Sequence, residues 1–131
     1  MIKVIIAGSR NFYDYFYVEE KLLLYFKENN IHSANIEIIS GGARGADKIG
    51  EMFAKKFNVK LIIFPAQWDT YGKAAGMIRN QEMANYAIKG SDKAILFAFW
   101  DGQSRGTKGM INIAKKCGME VIINDICRNI K

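Results

Sequence analysis

Four of the five arginines in this chain lie in glycine-rich segments, and each segment follows an apolar run of strand length. The segments read GSRNF (8–12), SGGARGAD (40–47), PAQWDTYGKAAGMIRN (65–80) and DGQSRGT (101–107), and they contain Arg10, Arg44, Arg79 and Arg105, one in each. Glycine is common in turns because it tolerates positive φ. Arginine has no such preference, so its recurrence indicates a shared site.

These residue types favour an anionic ligand, and above all a phosphate. Glycines allow backbone N–H groups to approach a ligand closely, the N-terminus of a helix carries partial positive charge, and the arginine fork matches two phosphate oxygens. Serine and threonine hydroxyls add further donors. The candidate binding residues in three of the segments are Gly8, Ser9, Arg10, Ser40, Gly41, Gly42, Arg44, Gly45, Asp47, Asp101, Gly102, Ser104, Gly106 and Thr107.

The third segment is longer than the 2–6 residues usual for a strand-to-helix loop. Its Trp68, Tyr71 and Lys73 could stack on a base and meet a phosphate, and Arg79 and Asn80 would close over the base or a second phosphate. Aromatic rings also fix long loops by packing alone, so both roles stay open for Trp68 and Tyr71. This composition favours a nucleotide over inorganic phosphate.

The elements that must position these segments alternate along the chain. Apolar runs at 2–7, 36–39, 59–64, 94–99 and 121–123 predict strands. Helical spacing between them gives the stripes Tyr15, Val18, Leu22, Tyr25 and Phe26; Ile49, Met52, Phe53 and Phe57; Met83, Ala84, Ala87 and Ile88; and Met110, Ile111, Ala114 and Cys117. Asp14 is a predicted N-cap, and Asn58, Gly90 and Gly118 are predicted left-handed residues after helix ends.

This order predicts one α/β domain over residues 1–131, with a Rossmann-like, doubly wound and mainly parallel five-stranded sheet and helices on both faces. In such a sheet every strand-to-helix segment lies at the carboxyl edge, where ligands bind. The four segments should therefore meet.

Composition adds few constraints. The chain has 131 residues and a net charge of +6, which suits an anionic partner. With a single histidine and two cysteines that lack CxxC spacing, no metal site is expected. We expect Cys117 and Cys127 to be buried and reduced in a cytoplasmic protein without a membrane partner, because the first apolar run is too short to span a membrane.

In order, GSRNF, SGGARGAD, FPAQWDTYGKAAGMIRNQEMA and AFWDGQSRGT resemble the motifs of the SLOG superfamily of Rossmann-like domains, in its YspA-like branch of unknown function. The resemblance covers nearly the whole chain. It implies a nucleotide or nucleotide-derived ligand, such as a nucleoside monophosphate, ADP-ribose or a signalling nucleotide, and a role as a sensor or as an N-glycosidase-type enzyme. Relatives commonly self-associate, so the resemblance also allows a homo-oligomer.

The segment DGQSRGTKGM is similar to the phosphate-binding motif of the LONELY GUY phosphoribohydrolases, which the chain matches at Gly106 and Thr107. Met110 stands where that family has its catalytic glutamate, and methionine cannot transfer a proton. Catalysis would need another carboxylate, for which Asp47, Asp101 and Glu82 are the candidates. Asp47 could instead brace its helix and Asp101 could form a tight turn, so enzymatic activity stays open.

GSR, SGGARGAD and RNQEMA are also similar to motifs of the DNA-processing protein A family, which binds single-stranded DNA. That similarity implies single-stranded DNA as an alternative partner, since basic grooves with aromatic side chains suit single strands. The arginines are grouped at one pocket-like edge rather than along a stripe, which favours the small ligand.

Overall fold

The computed structural model describes residues 1–126. The strands are β1 (Ile2–Gly8), β2 (Ile36–Ser40), β3 (Lys60–Ile63), β4 (Lys93–Trp100) and β5 (Glu120–Asp125). The helices are α1 (Tyr15–Glu28), α2 (Ala46–Lys56), the short α3 (Trp68–Tyr71), α4 (Ala75–Ile88) and α5 (Arg105–Lys116), with 3₁₀ turns at Ser33–Asn35 and Gly72–Ala74.

The five strands form one parallel sheet in the order β3-β2-β1-β4-β5. Val4 of β1 is in register with Ile38 of β2 on one side and with Ile95 of β4 on the other. After β1, the chain adds β2 and then β3 on one side of β1. It then crosses to the other side of β1 and adds β4 and β5. Strand order therefore reverses between β1 and β4, which is the ligand-binding position of Rossmann-like sheets.

Alternate residues of β1 point to opposite faces of the sheet. Val4 and Ile6 pack with α1 and α2 on one face, whereas Ile5 and Ala7 pack with α4 and α5 on the other. All four side chains are buried, which explains why the run is continuously apolar. The predicted Rossmann-like fold, with a parallel five-stranded sheet and helices on both faces, is confirmed.

The predicted helix ends are confirmed as well. The Asp14 side chain caps α1 by accepting the Tyr17 N–H at 3.2 Å. Asn58, Gly90 and Gly118 all have positive φ, between 54° and 77°. These residues stop the helices with little strain, because asparagine and glycine tolerate the left-handed conformation.

Three details of the helices differ from the prediction. The sequence places Arg79 in a strand-to-helix loop, whereas it lies in the second turn of α4, because that helix begins at Ala75. The helical spacing places Met52 on a buried stripe, whereas this residue is 53% exposed, since it lies about 200° around α2 from the buried Gly50. Ile88 is 43% exposed because it is the last residue of α4.

Within residues 1–126, none of the helices combines the length and apolar character required to cross a membrane. The same residues contain no cluster of three or more His, Cys, Asp or Glu side chains able to hold a metal ion. Cys117 is a half-buried free thiol, and Cys127 lies outside the described residues.

Candidate functional site

A cavity of about 550 Å³, called here the first cavity, opens at the carboxyl ends of β1 and β4. Its position is the point where strand order reverses. It is lined by Ala7, Gly8, Ser9, Arg10, Asn11, Ala43, Arg44, Asp47, Trp68, Lys73, Gly76, Met77, Arg79, Asn80, Met83, Asp101, Ser104, Arg105, Gly106, Thr107 and Met110. All four segments that the sequence singled out therefore contribute to one cavity.

The N-terminus of α5 lies at one wall of the first cavity. Asp101 fixes the preceding loop, because its Oδ1 accepts the N–H groups of Gln103 and Ser104, both at 2.8 Å. These backbone hydrogen bonds lower the pKa of Asp101, so the carboxylate stays ionised. Arg105 and Gly106 begin the helix, and the N–H groups of a first turn have no partner within the helix. This end of α5 is suited to an anion.

Ser9 is buried beside that helix end, with 7% of its surface exposed. Its carbonyl oxygen accepts the N–H groups of Phe12 and Ala46, which fix the residue firmly. The hydroxyl lies close to the Asp101 carboxylate and contributes to lowering its pKa. Ser9 therefore provides a buried hydroxyl at the wall of the first cavity, next to Asp101.

Arg79 holds three parts of the site together. Its guanidinium is buried, donating from Nη1 to the carbonyl of Gly41 and from Nε to Asn80 Oδ1 at 3.0 Å. Asn80 in turn directs Nδ2 towards the carbonyl of Gly106 at 3.5 Å. The α4 helix is thus tied both to the loop after β2 and to the start of α5.

Glycine is required at position 41 because the Arg79 side chain approaches its backbone closely. A Cβ there would lie 2.8 Å from Arg79 Cζ and 2.8 Å from Asp47 Oδ2. The requirement comes from packing against this charged pair, since Gly41 is not among the residues with positive φ.

Asp47 is the titratable group most altered by the site. Burial raises the pKa of its carboxyl to about 6, although the positive charge of Arg79 and the N–H of Ala43, 3.2 Å from Oδ2, oppose the rise. Burial also lowers the pKa of the Arg79 guanidinium. A carboxyl that titrates near neutral pH inside a cavity has the properties of a general acid or base.

A second cavity of about 490 Å³ lies next to the first. Four residues line it alone, namely Gly41, Gly42, Pro65 and Ala66. Five residues line both cavities: Arg10, Ala43, Arg44, Trp68 and Arg79. The boundary between the cavities is therefore rich in arginine.

Comparisons with known proteins agree with this architecture. A family model described as "YspA, cpYpsA-related SLOG family" matches residues 2–71. The "Gene 61 protein" of Mycobacterium phage D29 is 34% identical over 129 residues, covering 93% of this chain and 95% of the phage protein. The chain belongs to the SLOG family. No solved structure matches it.

Membership of the SLOG family confirms the resemblance seen in the sequence and suggests a nucleotide-related function for this protein. The family match ends at residue 71, within α3. It therefore covers the loops after β1 and β2, while the phage protein extends the similarity across α4 and α5.

Most of the predicted binding residues of this SLOG protein line one of the two cavities. The exceptions are Ser40, Gly45, Tyr71, Gly102 and the candidate acid Glu82. Ser40 Oγ instead lies 2.7 Å from Glu51 Oε2 and accepts the N–H of Gly42. Gly45 has a φ of 79° and packs against the backbone of Ser9 and Arg10. Ser40 and Gly45 therefore determine the conformation of the loop between β2 and α2.

The first cavity also contains residues that the sequence did not single out as binding residues, among them Asn11, Gly76, Met77 and Met83. Helical periodicity in the sequence could have identified some of these cavity residues. Gly76, Asn80 and Met83 are spaced i, i+4 and i+7, so they share one face of α4 once Asn80 is placed inside a helix.

Proposed function

We propose that this SLOG protein binds a nucleotide or nucleotide-derived phosphate ligand in the first cavity and acts as a sensor of that ligand. The observation that carries the proposal is the meeting of four arginines, the N-terminus of α5 and the buried Ser9 hydroxyl in one cavity. A phosphoryl oxygen would accept hydrogen bonds from the guanidinium groups and from the helix end together.

The charges of the first cavity support an anion. Four arginines and Lys73 line it, against the two carboxyls of Asp47 and Asp101. Arg10, Arg44 and Arg105 are exposed, so their guanidinium groups are free to turn towards an incoming phosphate. Arg79 is already fixed by its own hydrogen bonds and would offer a preorganised positive charge.

The apolar side chains of the first cavity support a nucleoside. Trp68 is 50% exposed and presents its indole to both cavities, and Met77 and Met83 add apolar surface. A base could stack on the indole face, since every base has a π-face. A base stacked on Trp68 and a phosphoryl group at the N-terminus of α5 would be the two ends of one nucleotide.

The test is a thermal-shift panel of nucleotides and sugar phosphates, followed by calorimetry. A ligand at 100 times its Kd should add about 2.7 kcal/mol of stability, a shift of several degrees in Tm. Arg44→Ala should weaken binding by about 1.5–3 kcal/mol, the scale of a charged hydrogen bond. The matched control is Lys55→Ala, an exposed charge in the last turn of α2.

Two results would contradict the proposal. The first is a panel in which no nucleotide or sugar phosphate raises Tm. The second is a ligand whose affinity is equally insensitive to Arg44→Ala and to Lys55→Ala.

Asp47 supports a second candidate, a nucleotide hydrolase that cleaves the N-glycosidic bond. Its buried carboxyl, with a pKa of about 6, lines the same cavity and could protonate a leaving base. Asp101 is less suitable because hydrogen bonds lower its pKa, and Glu82 is exposed and outside the cavity. Release of free base by the wild type, lost in Asp47→Asn, supports hydrolysis; no release from any nucleotide contradicts it.

A further inference from the structure

Two carboxyls line the first cavity, and their surroundings are opposite. Asp101 Oδ1 accepts the N–H groups of Ser104 and Gln103, both at 2.8 Å, which holds the pKa of that carboxyl below its ordinary value. Asp47 is 6% exposed, and burial raises the pKa of its carboxyl to about 6. Of the two, Asp47 is therefore the one that can gain a proton near neutral pH.

The charged groups that face Asp47 come from three parts of the fold. Arg79 of α4 lies beside it, since a Cβ at Gly41 would be 2.8 Å from both Arg79 Cζ and Asp47 Oδ2. Arg10 acts on Asp47 from the loop after β1, and Glu51 acts from one turn further along α2. Burial outweighs the two arginines, which favour the ionised form of Asp47, and Glu51 disfavours that form. The other charged residues that line the first cavity are Arg44, Lys73, Asp101 and Arg105.

A phosphoryl group in the first cavity would change this balance of charges. It brings negative charge close to a carboxyl that little water screens, and a nearby like charge disfavours the ionised form. It also competes with Asp47 for the positive charge of Arg10 and Arg79, which line the same cavity. Both effects stabilise the neutral form of Asp47. The protonated carboxyl can then donate a hydrogen bond to a phosphoryl oxygen, which an ionised carboxylate cannot do.

We infer that ligand binding in the first cavity is coupled to the uptake of a proton from solvent by Asp47, which makes the site sensitive to acidity as well as to its ligand. This inference rests on the proposed function and adds its regulation. The ligand raises the pKa of Asp47 above the value of about 6 in the free protein, so affinity is highest below about pH 6 and falls as pH rises towards the new pKa. A pKa of about 7 in the complex corresponds to an affinity that is about ten-fold lower at high pH.

The experiment measures the affinity of AMP by calorimetry at pH 5 and at pH 8, in the wild type and in Asp47→Asn. The phosphate of AMP itself gains negative charge over this range, because its second pKa is about 6. That change affects both proteins, so the ratio of their affinities isolates Asp47. The affinity of the wild type relative to that of Asp47→Asn should be about ten-fold lower at pH 8 than at pH 5.

Proton uptake provides a second measurement. Calorimetry at pH 6.5, in two buffers of different ionisation enthalpy, counts the protons that are bound together with AMP. The wild type should take up about half a proton more than Asp47→Asn, because a pKa that rises from about 6 to about 7 changes the protonated fraction from about a quarter to about three-quarters. Glu82→Gln is the control and should retain the wild-type uptake, because Glu82 is exposed and outside both cavities.

The outcomes distinguish this inference from the proposed function. If AMP binds but the affinity ratio is the same at both pH values, or if the wild type and Asp47→Asn take up equal numbers of protons, the coupling is overturned and the nucleotide site stands. Inorganic sulfate is the probe if Asp47→Asn does not fold or AMP does not bind, because sulfate keeps its charge between pH 5 and pH 8. Equal affinity of the wild type for sulfate at both pH values overturns the coupling. If neither AMP nor sulfate binds, the inference fails together with the nucleotide site.

Discussion

Asp47 and Arg79 form a pair of opposite charges that are both withdrawn from water at the carboxyl edge. Removing a charge from water is costly, and attraction between the partners recovers only part of the cost. The raised pKa of Asp47 expresses this balance, since burial outweighs the pull of Arg79. Burying Asp47 and Arg79 therefore lowers the stability of the fold, while it provides a charged site.

The pH dependence of stability should reveal that cost. The folded-state pKa of Asp47, about 6, exceeds its ordinary value of 3.8, so the folded state binds the proton more tightly than the unfolded state. The resulting stabilisation is complete below about pH 4 and is lost as pH rises through about 6. By pH 7 the loss is about 3 kcal/mol. In Asp47→Asn this dependence should disappear, as measured by urea unfolding without ligand at pH 4 and pH 7.

The control for this measurement is Glu82→Gln, which removes an exposed carboxyl from α4. Its unfolding free energy is measured at the same two pH values for comparison with that of Asp47→Asn. If the difference between Asp47→Asn and the wild type does not change with pH, Asp47 is not held in the environment described above.

Gly41 provides a second prediction at the scale of one residue. In Gly41→Ala the new Cβ would collide with the Arg79 guanidinium and Asp47 Oδ2. We expect a loss of about 1–3 kcal/mol in unfolding free energy, as for other overpacked sites, and weaker nucleotide binding because Arg79 is displaced. Urea unfolding and calorimetry measure the two effects.

The matched control is Gly106→Ala in the first turn of α5, where a Cβ meets no atom within 4 Å. Alanine is the better helix former, so this variant should be as stable as the wild type or slightly more stable. Equal stability of the two variants would mean that Gly41 is not closely packed.

At the scale of elements, the first cavity is formed because helix starts and strand ends meet at one edge. α2, α4 and α5 all contribute residues from their first two turns to the first cavity. α1 contributes none, since it packs on the sheet face shared with α2 and begins only at Tyr15. A substitution in α1 should therefore change stability without changing ligand affinity.

Asp14→Ala tests this separation. Loss of the N-cap hydrogen bond to Tyr17 should cost about 1 kcal/mol of unfolding free energy and should leave nucleotide affinity unchanged. Glu28→Ala is the control: it removes a negative charge at the other end of α1, where the helix dipole disfavours it. An affinity lost with the cap would show that α1 does influence the site.

The sequence predicted the elements better than it predicted the site. Strands are buried on both faces, so their apolar runs are unambiguous, and Asp14 and Gly118 are local signals for helix ends. The sequence does not reveal the start of α4, because Ala74 offers no side-chain cap and Gly76 is typical of a loop. The second cavity could not be predicted, since its volume depends on where distant loops place Pro65 and Ala66.

Across the whole molecule, positive charge is divided between two populations. Apart from Lys73, which lines the first cavity, the lysines of residues 1–126 spread over the surface, and several of them pair with glutamates, such as Lys56 with Glu19 and Lys60 with Glu37. The arginines of residues 1–126 all line the first cavity. The net charge of +6 can attract any polyanion weakly, whereas the arginines are suited to one small ligand.

Salt dependence should separate these two modes of binding. A single-stranded oligonucleotide that contacts six lysines or arginines loses about 300-fold in affinity between 50 and 200 mM salt, from a slope of about −0.7 per phosphate. A nucleotide in the cavity carries few charges and no condensed counterions, so we expect it to lose less than about ten-fold over the same range. Arg44→Ala should weaken nucleotide affinity at both salt concentrations. It should change the slope of oligonucleotide affinity against salt by no more than the value for one phosphate contact.

Fluorescence anisotropy with a 20-residue oligothymidylate and calorimetry with the nucleotide provide the measurements. The reverse pattern, in which the oligonucleotide survives 200 mM salt and depends strongly on Arg44, would assign the arginines to a path for single-stranded DNA.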